Sequence, residues 1–509
     1  MDRKLNSLKL VRLGLDTQQE LIVFLPAHCF IYKSEGFEAS TQIIVSLNKK
    51  SIVARLNIVL SDLLKECEAS LSESAWERIG AVEGDYIQLS HLSPLTSFAY
   101  VRSKTHGNKL TEHEFHLIIH DIVMGKYSNI HLASFITACA HKNLSIQEII
   151  YLTKAMKNTG EQLHWDHPVI VDKHSVGGIP GNRTTPIVVA LVAAAGLIIP
   201  KTSSRAITSP AGTADTIETM TSVNLSISDI QAVVAREGGC MVWGGALGLS
   251  PADDILIRIE RVLDLDPVGQ MIASVLSKKA AVGATHVVID IPVGPTAKVR
   301  SDDDFLKLKH CFSRVAYALG LHVYILKSDG VQPLGKGIGP ALEARDILAV
   351  LRNENNAPVD LKEKSILLAS IIMEFSGAVP SGEGRYLAKQ LLDNGAALKK
   401  FMGICEAQGG FKEPSLALFS YAICATSRGV VTAIDNRSLA KVAKLAGAPH
   451  DQTAGVEFFS KIGTQVEVGQ VLYCIHAESK GALEYSRDYA LSMPNIVMLS
   501  NSAEQMTCD

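Results

Sequence analysis

The stretch that decides the fold reads VDKHSVGGIPGNRTT and covers residues 171–185. A short run of Val and Ile at residues 169–171 leads into it, and an apolar segment at residues 184–195 follows it. A buried apolar run, a glycine-rich turn and a longer apolar run predict a strand, a loop and a helix in that order. The pattern starts again at residues 197–199, so the alternation predicts a parallel α/β sheet.

The rest of the chain predicts further domains around this sheet. Residues 1–95 hold short runs rich in Val, Ile and Leu, which are typical of strands, and Thr111 with Glu114 has the capping-box spacing that begins a helix. Beyond residue 427, short alternating runs with glycine turns predict strands again. We therefore predict a multi-domain α/β protein with these segments: a β-rich N-terminal domain (1–95), a helical domain (96–165 and 251–280), a discontinuous α/β phosphate-binding domain (166–250 and 281–426) and a small α+β C-terminal domain (427–509).

Composition and charge exclude several classes of function. The 509 residues carry 49 Lys plus Arg against 52 Asp plus Glu, so no overall field attracts nucleic acid or an anionic membrane. The apolar runs at residues 21–32 and 187–199 are shorter than the roughly 20 residues that span a bilayer. Nine scattered cysteines without a C-x-x-C pair indicate reduced thiols rather than disulfides or zinc. We expect a cytoplasmic protein with no nucleic-acid or membrane partner and no metal.

Residues 171–185 also predict an anion site. Glycines let backbone N–H groups approach an anion, and the start of a helix adds partial positive charge. Lys173, Ser175 and either Thr184 or Thr185 can add donors. The lysine precedes the glycines, so this is not a P-loop. A turn with incidental polar residues is the alternative, but burying such a run of polar side chains without partners is unfavourable.

A second polar loop follows the next predicted strand and reads SSRAITSPAGTAD at residues 203–215. Ligands bind beyond the carboxyl ends of parallel strands, so both loops should border one cleft. Arg205 and several hydroxyls would then join Lys173 there. The alternative is a hydroxyl-rich surface loop in which Thr213 caps a helix.

Three segments together resemble one enzyme family. Lys173-His174-Ser175 with its double glycine, residues 204–218, and residues 273–279 are similar to the thymidine and pyrimidine-nucleoside phosphorylase family over about residues 95–500. The extra N-terminal segment and the wording of residues 179–185 and 204–209 resemble the longer branch of that family, which contains AMP phosphorylase.

The resemblance implies phosphorolysis of an N-glycosidic bond, as in thymidine + phosphate = thymine + 2-deoxyribose 1-phosphate, by a pentosyltransferase. It implies no cofactor, with inorganic phosphate as co-substrate, and a homodimer or larger homo-oligomer. Three residues are the catalytic candidates that it gives: Lys173 at the phosphate, His174 at the base, and Asp266 as proton donor. The candidate substrate contacts are Ser175, Gly178, Thr185, Ser204, Arg205, Ala206, Ile207, Thr208, Ser209, Thr213, Ser274, Lys278 and Lys298.

Asp266 has a physical case as well as an ordinary alternative. It precedes Pro267 at the predicted entry of the helix that carries Ser274. It would donate a proton at neutral pH only if burial raised its pKa by several units, and a helix cap before Pro is the other interpretation. Ser274 and Lys278, one helical turn apart, could equally form a solvated polar face.

Other functions stay open at this point. Arg205 and its neighbouring hydroxyls could hold a 5′-phosphate, which would make the substrate a nucleoside 5′-monophosphate such as AMP and the product ribose 1,5-bisphosphate. A phosphoribosyltransferase and a catalytically inactive nucleotide-binding regulator are further alternatives. Two weaker motifs are a histidine face at residues 113–120, more typical of a solvated surface than of a metal site, and GKGIG at residues 335–339, which lacks a nucleotide loop's glycine spacing.

Overall fold

The computed structural model describes residues 7–18, 20–39, 41–92, 94–140, 144–206, 209–265 and 267–500. The chain forms two compact units, Met1–Leu144 with Arg258–Leu263, and Ser145–Ile257 with Asp264–Asp509. The predicted multi-domain mixture of helices and sheets is confirmed. The bounds of the six predicted segments stay predictions.

The first unit begins with a closed six-stranded barrel. Its strand order is β1-β5-β2-β4-β3-β6, and apolar side chains alternate into the interior, as in the buried Ile43 and Val45 of β3. A strand with this period-two pattern buries one face only. The barrel segment contains β1 Ser7–Leu10, β2 Ile22–Pro26, α1 Phe30–Ser34, β3 Gln42–Leu47, β4 Lys50–Val59, β5 Glu68–Leu71, α2 Glu73–Ile79 and β6 Tyr86–His91.

Three helices follow the barrel segment in the first unit, which also includes Arg258–Leu263 at the end of a later helix. The predicted capping box is present: Thr111 accepts from the N–H of Glu114, whose side chain accepts from the N–H of Thr111. Ser128 caps the next helix in the same way. The helices are α3 Phe98–Thr105, α4 Glu112–Val123 and α5 Asn129–Cys139.

The second unit is built on parallel strands, as the alternating pattern predicts. Three strands pair in the order β11-β10-β7, two more pair as β8-β9, and a single parallel bridge joins Ile170 to Ile198 between the two sets. The elements of this layer are α6 Ile146–Asn158, β7 Val171–Ser175, α7 Thr185–Ala194, β8 Ile199–Ser203, α8 Thr213–Glu218, α9 Ile227–Glu237, β9 Gly239–Trp243, α10 Pro251–Leu263, α11 Val268–Ala281, β10 His286–Val293, α12 Asp302–Ala318 and β11 His322–Asp329.

The apolar helix α7 forms the centre of this layer. Its residues from Thr185 to Ala193 are all buried, which is typical of a helix that is hydrophobic on every side. It packs against five later helices of the second unit, most extensively against those at Val359–Phe375 and Ala396–Ala407. The later elements of this layer are β12 Gly337–Ile338, α13 Pro340–Leu351, α14 Val359–Phe375, α15 Gly384–Asp393 and α16 Ala396–Ala407.

The C-terminal part is an α+β arrangement of short strands. One sheet has the order β12-β15-β17-β13 and another the order β16-β14-β18, so β12 joins this part to the segment before α13. Its elements are β13 Phe419–Cys424, β14 Gly429–Ile434, α17 Asn436–Leu445, β15 Gly455–Phe458, β16 Gln465–Val466, β17 Val471–Ala477, α18 Lys480–Ser492 and β18 Val497–Leu499.

Several predicted element bounds were wrong. The strand predicted at residues 169–171 runs on as β7 through Ser175, because Asp290 of β10 still pairs with that residue. The helical piece predicted at residues 251–279 is two helices, α10 and α11. Helix α8 begins at Thr213 with Gly212 at its N-cap, so Thr213 is not the cap.

In the described residues, no helix is both long enough and apolar enough to cross a bilayer.

The loop after β7 depends on a glycine at residue 181. Gly181 has a φ of +69°, and a Cβ there would lie 2.1 Å from the carbonyl oxygen of Leu334. Gly181→Ala should therefore lower the unfolding temperature measured by calorimetry by about 3 °C or more, since such strain costs on the order of 1 kcal/mol or more. Gly177→Ala in the same loop is the control, because a Cβ there meets nothing within 4 Å. Equal decreases in the unfolding temperature of both variants would contradict crowding between a Cβ at residue 181 and the carbonyl oxygen of Leu334.

Candidate active site

Strand β7 separates four polar residues onto two faces. Side chains alternate along a strand, so Lys173 and Ser175 lie on one face and Asp172 and His174 on the other. In the parallel register Asp290 of β10 stands beside Ser175, which places its carboxyl on the face of Lys173. The run that the sequence places at the end of a strand is thus part of the strand itself. Because its side chains alternate, the charges of Lys173 and Asp172 lie on opposite faces.

Lys173 is held inside the protein with only 1% of its surface exposed. Its Nζ donates to Thr184 Oγ1 at 2.8 Å and to Thr185 Oγ1 at 3.2 Å, both at the start of α7. Burial lowers the pKa of Lys173 to about 7, although Asp290 acts against this by favouring the charged form. Lys173 and the threonines that the sequence predicted as anion donors therefore lie together, and the side-chain amine of Lys173 can gain or lose a proton near neutral pH.

Asp290 gathers polar groups from three other elements. Ser175 Oγ donates to its Oδ2 at 2.7 Å, Ser328 Oγ donates to its Oδ1, and Lys364 Nζ lies 3.0 Å from Oδ2. Burial opposes the charged form of Asp290, but Lys364 and then Lys173 outweigh it and lower the pKa of the carboxyl. These donors surround a carboxylate that is fully buried, so Ser175 and Lys364 already have a protein acceptor at this strand end.

The opposite face of β7 carries a second buried charge cluster. Asp172 is fully buried, with Lys201 Nζ 3.3 Å from its Oδ1 and Lys279 Nζ 2.6 Å from its Oδ2. Burial, followed by the charges of Lys279 and Lys201, lowers the pKa of His174 well below its usual value. The imidazole is therefore neutral at neutral pH, so it can donate or accept a hydrogen bond but is not a reservoir of an acidic proton.

Arg183 connects the first loop (residues 176–183) to the second loop (residues 204–212). Its Nε donates to Glu343 Oε2 at 2.6 Å, and its two terminal nitrogens donate to Thr213 Oγ1 at 2.8 Å and to the carbonyl of Ala211 at 2.7 Å. The two loops are brought together, as the parallel topology predicts. Thr213, a predicted substrate contact, is one of the groups that join them.

Lys298 is placed by its packing against the first loop. Gly178 has a φ of +112°, and a Cβ on it would lie 2.4 Å from the backbone N of Lys298. Only a glycine permits this approach. The charge of Lys298 contributes to the lowered pKa of His174, so these two predicted site residues share one electrostatic environment.

Arg205 has protein partners that the sequence analysis did not predict. Its guanidinium donates twice to the carboxylate of Glu218, also contacts Asp215, and stacks 4.8 Å from the centre of the Trp243 ring. The hydrogen bond to Glu218 is the main cause of its raised pKa. A 5′-phosphate would have to compete with this pair, so the structure gives no free arginine for the contact that we considered.

The second loop is held in shape by one carboxylate. Asp215 Oδ2 accepts from the N–H of Ala206 at 2.7 Å and from the N–H of Gly212 at 2.8 Å. A Cβ on Gly212 would lie 2.6 Å from the N of Ala206. Ser204 and Ser209 are exposed, and Ser209 Oγ donates to a carbonyl of the same loop. Ile207, Thr208 and the predicted proton donor Asp266 lie outside the described residues.

Ser274 and Lys278 lie one turn apart on α11, and both are half-buried. Lys278 pairs with the buried Asp253 of α10. Burial raises the pKa of the adjacent Asp254, and the charge of Lys278 acts against this shift. The pair with Asp253 holds the ammonium of Lys278 in one place. The interpretation of these residues as a solvated polar face does not hold for Lys278.

Sequence reasoning missed several residues of this site. Asp290 had a visible signal, because it is a charge inside the apolar run at residues 286–291. Lys364 and Ser328 had none, since each is an ordinary residue of its local segment. Asp172, Arg183 and Asp290 contact predicted residues directly. The other missed residues contact these three: Lys201, Lys279, Ser328, Glu343 and Lys364.

The two weaker motifs have structural explanations. The rings of His116 and His120 are 6.4 Å apart, and in the described part of the chain no group of three or more potential ligands could hold a metal ion. In the segment at residues 335–339, Asp346 Oδ2 accepts the N–H groups of Lys336 and Gly337 at 2.6 and 2.7 Å. A carboxylate of the chain itself therefore occupies the donors that an anion would need.

Lys173 should make phosphate binding dependent on pH. Its pKa of about 7 means that the ammonium loses its proton as the pH rises through neutrality, so the association constant for inorganic phosphate should fall between pH 7 and 9. Binding at pH 8 should also take up a proton, because the anion favours the charged lysine. Titration calorimetry in two buffers of different ionisation enthalpy measures both effects. Lys173→Arg keeps its charge and should lose the pH dependence; an identical profile in both proteins would contradict this role.

Asp290 should stabilise the fold in a pH-dependent way. Its pKa is lowered in the folded chain, so its contribution is present above the unfolded value and disappears as the pH falls through the lower, folded value. Asp290→Asn should therefore cost about 3 kcal/mol at pH 7, and the gap should narrow below about pH 4. Calorimetric unfolding temperatures from pH 7 to pH 3 test this. Asp302→Asn, in an exposed pair with Lys327, is the control and should change little.

Comparisons with known proteins agree with this geometry. Three family models match: the glycosyl transferase family, helical bundle domain, at residues 99–160; the glycosyl transferase family, a/b domain, at residues 167–398; and the pyrimidine nucleoside phosphorylase C-terminal domain at residues 430–491. Among solved structures, anthranilate phosphoribosyltransferase from Saccharomyces cerevisiae in complex with PRPP and Mg has a TM-score of 0.50 and 17% identity, covering 62% of this chain and 99% of that one. This likeness shows the fold alone.

Full-length relatives are much more similar. A protein of Legionella pneumophila (strain Paris), provisionally named a thymidine phosphorylase, is 52% identical over 98% of this chain and 96% of its own length. A protein of the same provisional name from Ralstonia nicotianae is 52% identical over 95% of this chain and 96% of its own length. At this identity and coverage, the chain belongs to the thymidine and pyrimidine-nucleoside phosphorylase family.

Proposed function

We propose that this chain is a nucleoside phosphorylase that cleaves an N-glycosidic bond with inorganic phosphate, releasing the base and a pentose 1-phosphate. Thymidine, giving thymine and 2-deoxyribose 1-phosphate, is the substrate that the family relationship supports. The observation that carries the proposal is the buried Lys173, held by Thr184 and Thr185 beside Ser175 at the carboxyl end of β7. These are the donors that an inorganic oxyanion requires.

The first part of the reaction is the positioning of the nucleophile. Phosphate is already ionised, so the protein has no nucleophile to activate and must instead hold the anion in line with the sugar. Lys173 and the threonine hydroxyls at the start of α7 supply donors, and the partial positive charge of the helix start adds to them. Lys364 lies on the same side, paired with Asp290. Positioning and electrostatics then carry the rate.

The second part is the departure of the base. Negative charge develops on the base as the glycosidic bond breaks, so a hydrogen-bond donor at the base stabilises the transition state. His174 is neutral and can act as such a donor without transferring its proton. Lys278, held by Asp253, carries a positive charge on the helix of Ser274. Asp266 stays the predicted proton donor.

The arrangement of the second loop supports a nucleoside rather than a nucleoside 5′-monophosphate. The monophosphate interpretation depended on Arg205, whose guanidinium is paired with Glu218 and stacked on Trp243. A second phosphate therefore has no unpaired arginine at this position. A homodimer or larger homo-oligomer stays part of the proposal, and sedimentation of the purified chain would test it.

A substrate panel tests the proposed reaction. Thymidine, AMP, CMP and UMP are each incubated with the protein, with and without orthophosphate, and the free base and the sugar phosphate are measured by chromatography. We expect thymine release that depends on phosphate, with 2-deoxyribose 1-phosphate as the second product. Lys173→Ala should lose at least about 100-fold in kcat/KM, since groups that stabilise transition-state charge contribute on this scale.

Exposed Lys309 of α12 supplies the matched control, because Lys309→Ala removes an exposed charge outside the proposed site and should keep full activity. Base release from AMP alone would identify a nucleoside 5′-monophosphate phosphorylase. Release without phosphate, or full activity of Lys173→Ala, would overturn the assignment of the phosphate site.

A further inference from the structure

Residues 332–336 form a segment that is hydrogen-bonded on two sides. They follow β11 and precede β12, and they lie between the first loop and the C-terminal strands. Nothing in the proposed reaction uses them directly. Residues of this segment nevertheless form hydrogen bonds both to the first loop and to the C-terminal part. The segment therefore links the C-terminal part to the proposed phosphate site.

Leu334 makes the contacts on the side of the first loop. Its N–H donates to the carbonyl of Pro180 at 3.2 Å, and its carbonyl accepts from the N–H of Asn182 at 3.2 Å. These bonds form a parallel bridge between Leu334 and Gly181. Because Gly181 leaves no room for a side chain against Leu334, the two backbones are in direct contact. The position of Leu334 therefore determines the position of residues 180–182.

Lys461 makes the main contacts on the other side. Its Nζ donates to the carbonyl of Pro333 at 2.6 Å and to the carbonyl of Gly335 at 2.8 Å, and it lies 2.8 Å from Asp360 Oδ2. An ammonium has three N–H donors, and all three find an acceptor here. The two carbonyls belong to the residues on either side of Leu334. One side chain of the C-terminal part thus holds both flanks of the bridge.

Further bonds show that this junction is built rather than incidental. Asp360 also accepts from the N–H of Gly335 at 3.3 Å, so Lys461 and Asp360 hold both polar backbone groups of that glycine. The N–H of Ile462 donates to Gln332 Oε1 at 2.8 Å. The side chain of Lys461 is 28% exposed, so its removal leaves a position that water can reach.

We propose that Lys461 is a positioning residue for phosphate binding. This inference rests on the proposed function of the first loop. The ammonium fixes the carbonyls of Pro333 and Gly335, these hold Leu334, and Leu334 aligns the first loop with Lys173. The proposed base donor His174 lies within β7, and the proposed substrate contacts Ser274 and Lys278 lie on α11, so none of them is held by this junction. Loss of Lys461 should therefore affect phosphate more than nucleoside.

Lys461→Met tests the proposal, because methionine retains the apolar stem and removes the ammonium. We expect the KM for phosphate and the Kd for inorganic phosphate to rise about tenfold, while the KM for nucleoside and the unfolding temperature change little, since small misplacements of binding groups weaken function steeply. Hydrogen exchange should become faster at the amide of Asn182, which donates to the carbonyl of Leu334. Lys461→Arg should restore part of the phosphate affinity because a guanidinium can donate to the same carbonyls.

Two further variants make the result decisive. Asp360→Asn removes the negative charge that pairs with Lys461 and should also weaken phosphate binding. This variant keeps the test available if Lys461→Met does not fold. Lys444→Met, an exposed lysine of α17, is the control and should behave as the unaltered protein.

The outcomes separate this inference from the proposed function. If Lys173→Ala abolishes phosphate binding while Lys461→Met and Asp360→Asn bind phosphate normally, the role of Lys461 is overturned and the phosphorylase assignment stands. An equal rise in the KM values for phosphate and nucleoside, or unchanged exchange at the amide of Asn182, also overturns it. If the unaltered protein binds no phosphate, the proposed function fails, and with it the role of Lys461 in phosphate binding.

Discussion

The second unit depends on how one positive charge is buried. Lys173 lies on the central strand β7 with almost no exposed surface. A buried ammonium is unstable unless its N–H groups have acceptors and an opposite charge lies nearby. Two threonine hydroxyls at the start of α7 accept from it, and the carboxylate of Asp290 favours its charged form. Each partner requires an element in a particular place: α7 must begin directly over the end of β7, and β10 must pair with β7 in register. The fold is therefore arranged around this requirement.

Alternation along β7 divides the site into two electrostatic environments. On the face of Lys173 and Ser175, the carboxylate of Asp290 accepts from Ser175 and pairs with Lys364. On the face of His174, burial and then the charges of Lys279 and Lys201 keep the imidazole neutral. A strand separates these faces by the thickness of one backbone. One short run of sequence can thus place the residues proposed for the anion on one face of the strand and the imidazole of His174 on the other.

The loops are positioned by contacts that are both near and distant in sequence. Arg183 joins the first loop to the second and to Glu343, and Asp215 holds the second loop through two backbone N–H groups. Leu334 holds the first loop through a backbone bridge, and Lys461 holds the flanks of that bridge from the C-terminal part. The C-terminal strands therefore contribute to the geometry of a site to which they supply no direct ligand.

The sequence by itself determined the alternation of strands and helices, the place of the proposed site at residues 171–185, and the residue types proposed to meet the anion, because periodicity, glycine turns and local donors are short-range properties. It could also have indicated Asp290, a lone charge in an apolar strand. Only the tertiary structure decided which partners each charge has: Asp290 is 115 residues from Ser175, and Lys461 is 128 residues from Pro333. Arg205 shows the same limit, since its pairing with Glu218 depends on where α8 begins. Charge pairing across such distances depends on strand order and helix packing, which no local pattern encodes.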